Sequence, residues 1–195
     1  MPEAAYLASL SGVQSDLRSV IQYCDYLQQH GPMALDFFVW EAMSVAAVIA
    51  YARCFNQGVR HPLPKDLFIL APEHLKIAHD YFIALRSKHI AHSVNDFEEN
   101  TPVAQIGEHF RSGAEIEHIH VSQSRIVGLR TDDPALLKEL ATWIFARVDV
   151  LVSEEKVKLL PIVRSLSIEE IKSQGSWGPG NGGNRGTIKA RRSTP

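Results

Sequence analysis

Apolar side chains recur at steps of three and four along residues 3–30, the spacing of one face of an amphipathic helix. This stripe consists of Tyr6, Leu10, Val13, Leu17, Val20, Cys24 and Leu27. Gly31-Pro32 follows it directly and predicts the end of the first helix. Residues 33–57 are apolar on most sides, so we predict a second, central helix that stops at Gly58.

A third helix is predicted to begin at Pro72, after a connector over residues 58–71. Proline is tolerated in the first turn of a helix, and the acidic Glu73 is favourable near the N-terminus. The inward stripe of this helix is Leu75, Ala78, Phe82 and Leu85. The same spacing carried forward places His89 and His92 on the core-facing side, where leucine would pack better.

The helical spacing stops after the third helix. Residues 94–113 are polar and mixed, and we interpret them as a loop. Over residues 114–130, Ile119 and Val121 alternate with polar side chains, which predicts a short β-hairpin. The tripeptide "SQS" at 122–124 is the predicted turn of that hairpin.

A long helix is predicted to start at Asp133-Pro134, because this pair combines a cap with a first-turn proline. Its inward positions are Leu137, Leu140, Ile144, Val148 and Leu151. We predict that this helix breaks by Pro161. Ser167 and Glu170 have the spacing of a capping box, which predicts a short last helix.

Together these elements predict an all-α fold, an up-and-down four-helix bundle with a short β-hairpin insertion before the last long helix. Residues 1–173 would form the bundle domain. Residues 174–195 are glycine-rich and polar and cannot form a core, so we predict a flexible, disordered C-terminal tail. A bundle alone indicates no function, because bundles host many unrelated activities.

Charge and hydropathy narrow the class of protein. The net charge of −2 excludes a polycation, although the tail carries Arg185, Lys189, Arg191 and Arg192 without an acid. The N-terminus lacks the basic start and apolar run of a secretory signal. The longest uncharged run of the second helix, 42–52, is well short of the roughly 20 residues of a bilayer span. We therefore expect a cytoplasmic protein outside the membrane, with Cys24 and Cys54 as reduced core thiols.

The stretch "LRSKHIAHS" at 85–93 gathers four titratable groups at the end of the third helix: Arg86, Lys88, His89 and His92. An unpaired cation is costly to bury, so the stretch is either a solvated helix terminus or a site. The simpler interpretation is a terminus, because the helix dipole favours basic side chains in the last turn.

The stretch contains Arg86, five further residues and then His92, and it lies at the end of the third helix of the predicted four-helix bundle. This arrangement resembles the HEPN superfamily, whose motif is Arg, four to six residues, then His. The amino-acid sequence of the stretch is similar to that in the abortive-infection and toxin branches of this superfamily. The resemblance implies a metal-independent endoribonuclease, often dimeric, with Arg86 and His92 as catalytic residues. Ser87 stands where active members usually carry Asn, Asp or His. That departure favours the alternative, a non-catalytic module that binds RNA, a nucleotide or an antitoxin protein.

The chemistry of RNA cleavage suits these two residue types. Attack by the 2′-hydroxyl requires a base for its proton, an acid for the leaving 5′-oxygen and positive charge at the phosphate. Histidine transfers protons near neutral pH. The arginine fork can donate two parallel hydrogen bonds to a phosphate, and no metal or other cofactor is needed.

The spacing of the motif also bears on assembly. Arg86 and His92 do not share a face of a regular helix, whereas Arg86 and His89 are closer to alignment. Either the helix loosens near His92, or a second protomer completes the site. Because one chain supplies one motif histidine, we predict a homodimer with two such sites near each other.

Several further residues are candidates for supporting roles. Ser87, Lys88 and His89 would support the catalytic pair, and Arg53 and Arg60 could add phosphate-binding charge. His89 and His92 could also hold Zn²⁺ together with His118 and His120, but nothing in the sequence fixes their proximity, so no metal site is predicted. Trp143 and Phe145 are interpreted as core or dimer contacts rather than base-stacking platforms.

Overall fold

The computed structural model of the protein describes residues 2–56, 60–87, 98–106, 116–125 and 128–173. The described chain is mostly helical, with a small two-stranded antiparallel sheet. Its elements are α1 (Pro2–Ala34), α2 (Phe37–Arg53), a 3₁₀ turn (Lys65–Phe68), α3 (Glu73–Leu85), β1 (Glu98–Ile106), β2 (Ile116–Arg125), α4 (Asp133–Arg164) and α5 (Ile168–Ser173).

The apolar stripe of α1 lies in the core, as its spacing predicts. Every member from Leu10 to Leu27 is buried, and Tyr6 is half-buried against the same cluster. Gly31 has φ 68° and ψ 163°, which interrupts the helix before Pro32 and a final short turn. The predicted end of the first helix is therefore confirmed, because only glycine adopts this φ without strain.

Helix α2 is shorter than predicted and is not buried on all sides, because Phe37, Phe38 and Val39 in its first turn are exposed. It begins after Asp36, whose side chain accepts a 2.8 Å hydrogen bond from the Phe38 N–H. This cap places the start four residues later than the apolar pattern alone suggested. Its buried residues are Trp40, Ser44, Ala47, Val48, Ala50, Tyr51 and Ala52. The predicted stop at Gly58 lies outside the described residues.

Helices α1 to α4 share one core. Helix α1 packs against α2 and α4, and α3 packs against the same two helices from the other side. The four predicted inward residues of α3 are all buried, and Pro72 is its N-cap. The positions expected to extend this stripe, His89 and His92, lie outside the described residues.

The sheet occurs before the last long helix, as predicted, but its strands are placed differently. Residues 98–106, interpreted from sequence as loop, form β1 and pair antiparallel with β2. Ser122, Gln123 and Ser124 lie within β2 rather than in a turn, and Gln123 pairs with Asn100. The alternation of apolar and polar residues did not locate the strands, because their described side chains, at 101–105 and 118–122, are exposed and form no buried apolar face.

Helix α4 begins at Asp133, but Asp133 is not its cap as the sequence predicted, because the N-cap position is Asp132 and the Asp133 carboxylate accepts a 2.9 Å hydrogen bond from the Arg130 N–H instead. The helix also does not break at Pro161. It continues to Arg164, so the predicted break was wrong. Pro161 lies one turn from the end, where it removes a single backbone donor and the remaining carbonyls still find partners. The Ser165 N–H, for example, donates to the Pro161 and Ile162 carbonyls at 3.1 and 3.2 Å.

The capping box of α5 is confirmed in both directions. The Ser167 N–H donates to Glu170 Oε2 at 2.7 Å, and the Glu170 N–H donates to Ser167 Oγ at 3.2 Å. Two backbone donors at the helix start are thereby satisfied. The predicted tail, residues 174–195, lies outside the described residues.

Candidate functional site

Arg86 lies at the C-terminal end of α3 and is half-buried. Its backbone N–H donates to the Phe82 and Ile83 carbonyls, so helical hydrogen bonding extends to Arg86. Lys88, His89 and His92 fall outside the described residues, so their pairing with Arg86 stays a prediction.

The described part of the chain offers no carboxylate partner to the Arg86 guanidinium. Arg53 and Arg60 differ in this respect, because both contact Asp16 of α1. Arg60 Nη1 lies 2.8 Å and Arg53 Nε lies 3.6 Å from the same Asp16 Oδ2. The structure thus brings the two candidate phosphate-binding arginines together around an acid, and any phosphate there would compete with Asp16.

A pocket of about 400 Å³ lies where the end of α2, the 3₁₀ turn and α3 meet. Its apolar wall is formed by Phe55, Leu63, Phe68 and Ile83. Its polar groups are Asn56, Lys76, His79 and Asp80. A concave site of this size, largely apolar with a few polar groups, has the usual composition of a small-molecule site.

His79 is the most constrained side chain of this pocket. Its Nδ1 lies 2.7 Å from the hydroxyl of Tyr51, which is fully buried on α2. Its ring packs on Phe68 at 4.2 Å between centroids and against the edge of Phe55 at 4.6 Å. Two aromatic rings and one hydrogen bond therefore fix the orientation of the imidazole.

The protonation of this pair follows from burial. Desolvation lowers the pKa of His79, and the nearby Asp80 carboxylate opposes that shift. Burial raises the pKa of the Tyr51 phenol, which keeps its proton. Among the described residues, the Tyr51 hydroxyl has only His79 Nδ1 as a hydrogen-bond partner, so we assign it as the donor. His79 is then neutral, with its own proton on Nε2.

The pocket and Arg86 lie on one face of α3. His79 and Arg86 are seven residues apart, which on an α-helix is two turns with a residual rotation of about 20° and a rise of about 10.5 Å. Ile83 lies between them and lines the pocket. One helix face therefore carries a pocket at one end and an arginine at the other.

A column of planar groups connects the pocket to α4. Phe68 stacks nearly parallel on Trp143, with centroids 5.9 Å apart and an interplanar angle of 18°. The Arg147 guanidinium lies 3.2 Å from the Trp143 ring, a cation–π contact. Trp143 and Phe145 are both partly buried against the core, as their predicted packing role requires.

Sequence reasoning overlooked His79 and Tyr51. A signal was present, because a tyrosine inside the most apolar helix needs a hydrogen-bond partner for its hydroxyl. His79 lies beside the inward stripe of α3, between Ala78 and Phe82, where it could supply that partner. Pairing the two required knowing which faces of α2 and α3 meet.

The remaining candidates are spread over the molecule. His118 and His120 are exposed neighbours on β2, with ring centroids 6.2 Å apart. Within the ranges that the structure describes, no three histidine, cysteine or acidic side chains are placed to share a metal ion.

None of the helices in the described ranges combines the length and apolar character needed to cross a bilayer. No family model, curated protein or solved structure matches the chain.

Proposed function

We propose that this chain is a HEPN-type four-helix bundle that acts in the cytoplasm as a metal-independent endoribonuclease of toxin or phage-defence type. The observation that carries the proposal is the setting of Arg86. It is half-buried at the C-terminal end of α3, and no carboxylate of the described residues neutralises it. An arginine in such a setting is suited to an anionic ligand such as a phosphodiester.

The proposed reaction is attack of the RNA 2′-oxygen on its own phosphorus. His92 removes the 2′-hydroxyl proton while the new oxygen–phosphorus bond forms, and Arg86 stabilises the charge on the phosphate oxygens. The bond to the 5′-oxygen breaks, and that oxygen takes up a proton. The products are a 2′,3′-cyclic phosphate and a 5′-hydroxyl. Ser87, Lys88 and His89 support the site.

We also propose that the enzyme is a homodimer. The reaction needs one group to accept a proton and another to donate one, whereas each chain has one motif histidine. Two Arg86–His92 sites that face each other would provide both groups. Symmetric dimers are the commonest assemblies of soluble proteins, and one shared site at the axis fits that symmetry.

The second candidate is a non-catalytic module that uses the same helix end to bind RNA, a nucleotide or an antitoxin protein. Two observations favour it. Ser87 occupies the position where active members usually carry Asn, Asp or His. The pocket beside His79 provides a place for a ligand that is bound but not cleaved.

An RNA cleavage assay on the full chain, with and without EDTA, tests the proposal. The variants are His92→Ala and Arg86→Lys, with His30→Ala and Arg164→Lys as matched controls at exposed positions of α1 and α4. We expect EDTA-resistant cleavage that falls by about 10²- to 10⁴-fold in His92→Ala, the range of acid–base catalysis. Arg86→Lys should also lose activity, because lysine keeps the charge without the fork.

The outcomes separate the two candidates. Cleavage that EDTA abolishes, or that survives in His92→Ala, would exclude the proposed mechanism. Absence of cleavage by the wild type, with RNA retention that Arg86→Ala abolishes, would support the binding module. A large loss of stability in His92→Ala without any change in function would show that the histidine is a packing residue.

A further inference from the structure

We propose that the pocket at His79 binds a guanine base. Where the chain acts on RNA, this base belongs to the nucleotide whose phosphate Arg86 contacts, and that second statement rests on the proposed function. The inference about the base itself rests only on the pocket.

The polar groups of the pocket have the hydrogen-bonding pattern of a guanine partner. The neutral His79 offers an N–H donor at Nε2, because Nδ1 is held by the Tyr51 hydroxyl. Lys76, which also contacts Glu73 at 3.3 Å, offers further donors. The Asp80 carboxylate, exposed and without a partner in the described part of the chain, offers only acceptors.

Guanine matches this arrangement better than the other RNA bases. It alone has two neighbouring N–H donors, at N1 and N2, which one carboxylate can accept in two parallel bonds. Its O6 and N7 are acceptors, to which a lysine or an imidazole N–H can donate. Lys76 and Asp80 are four residues apart and therefore adjacent on the surface of α3, which places the donors beside the acceptor.

The rest of the pocket suits a planar aromatic ligand. Phe55 and Phe68 line it together with two aliphatic side chains. Proteins that bind unpaired bases commonly use such aromatic surfaces, because every base has a π face. A volume of about 400 Å³ lies within the usual range for ligand pockets and accommodates a nucleoside.

The position of the pocket relative to Arg86 supports the link to RNA. The rise of about 10.5 Å between His79 and Arg86 along one face of α3 is the scale on which a single nucleotide extends from its base edge to its phosphate. A base in the pocket would thus leave its phosphate near the guanidinium. The pocket would select the nucleotide at which the chain acts.

Calorimetric titration of the full chain with guanosine, adenosine, cytidine and uridine tests the pocket without any phosphate. We expect guanosine to bind more tightly than the other three by roughly 5- to 150-fold, the range of one bidentate contact. Equal binding of all four nucleosides, preference for another base, or absence of guanosine binding would overturn the inference.

The carboxylate is tested by Asp80→Asn, with Asp132→Asn as a matched control. Both residues are exposed, and Asp132 makes no side-chain cap to α4, so neither change should alter the fold. Asp80→Asn should remove the preference for guanosine, whereas Asp132→Asn should keep it. An unchanged preference in Asp80→Asn would contradict the proposed contact.

RNA cleavage distinguishes this inference from the proposed function. Guanosine binding by a chain that cleaves no RNA would remove the nuclease proposal and leave the pocket assignment intact. Cleavage of RNAs with and without guanine at equal rates would keep the nuclease and overturn the selecting role of the pocket. Cleavage beside guanine that Asp80→Asn makes indiscriminate would support both.

Discussion

The hydroxyl of Tyr51 and the imidazole of His79 form a 2.7 Å hydrogen bond that joins α2 to α3. The bond is made at the inner wall of the pocket, where the phenol is buried and the imidazole is half-buried. With the phenol assigned as the donor, the ring proton of His79 is on Nε2, and this tautomer determines which group the imidazole presents to a ligand.

Tyr51→Phe should destabilise the protein and remove the hydrogen bond that holds His79 in one tautomer. The change leaves the ring packing in place but deprives His79 Nδ1 of its donor, which should lower the free energy of unfolding by about 1–2 kcal/mol. Urea denaturation measures the loss, and ¹⁵N chemical shifts of the imidazole report the tautomer. Tyr26→Phe, at an exposed tyrosine of α1, is the control and should change neither quantity.

The stability of the protein should fall as the pH drops through the ordinary pKa of histidine, 6.5. Desolvation lowers the pKa of His79 in the folded chain, so the unfolded chain binds more protons in this range. The contribution of His79 is therefore complete above pH 6.5 and is lost on acidification. The urea midpoint, followed from about pH 7.5 to pH 5.5, should decline less steeply in His79→Gln than in the wild type.

The control for this pH dependence is His30→Gln, which removes an exposed imidazole at the end of α1. In this variant the urea midpoint should decline with falling pH as steeply as in the wild type. The charges that face His79 from its own helix, Asp80 and Lys76, remain in all three proteins. Parallel slopes in the wild type and His79→Gln would contradict the assignment of a neutral His79.

Asp16→Asn should destabilise the protein. If Arg53 and Arg60 contact phosphates, the same change should strengthen RNA binding. Asp16 is only 13% exposed and neutralises both arginines, so its loss should lower the free energy of unfolding by about 1 kcal/mol. The freed cations should raise the affinity for RNA and steepen its salt dependence. Filter binding at several salt concentrations measures the effect.

The matched control for Asp16→Asn is Asp25→Asn, on the same helix. Asp25 pairs with Lys138 of α4 and contacts neither arginine. RNA affinity should not change in this variant. A rise of equal size in both variants would reflect net charge alone, and Arg53 and Arg60 would then have no particular role.

The proposed homodimer should be visible by light scattering of the full chain at micromolar concentration. The expected mass is twice the 21.7 kDa of one chain. A monomer under these conditions would contradict the proposal that two chains share one site. Each chain would then have to supply both proton-transfer groups itself, with His89 as the second histidine.

The sequence was most informative where one face of an element is buried. The buried stripes of α1 and α3 were predicted residue by residue. Apolar side chains spaced by three and four residues lie on one face of a helix, and that face packs against the core. The two strands were misplaced because the described side chains of β1, at 101–105 around Pro102, are exposed and show no buried alternation. At Pro161, local propensity predicted a break that the last turn of α4 tolerates.

The pocket at His79 could not be predicted from the sequence, for a different reason. The motif of Arg86 and His92 is local in sequence, and the role inferred from its spacing stays a prediction. The bond between Tyr51 and His79 joins residues 28 positions apart, and no periodicity within either helix indicates it. Contacts of this kind depend on how two helices are rotated against each other, which a single sequence does not show.

The column formed by Phe68, Trp143 and Arg147 gives the pocket an intrinsic optical reporter. Phe68 lines the pocket and stacks on Trp143, whose indole also carries the Arg147 guanidinium on its ring. A molecule that displaces Phe68 would alter the surroundings of that indole and shift its fluorescence. Trp40 is buried elsewhere, with its Nε1–H held by the Leu129 carbonyl at 3.0 Å, and would emit unchanged. The third tryptophan, Trp177, lies outside the described residues. Occupancy of the pocket can therefore be followed through Trp143 without a label in a Trp177→Phe variant.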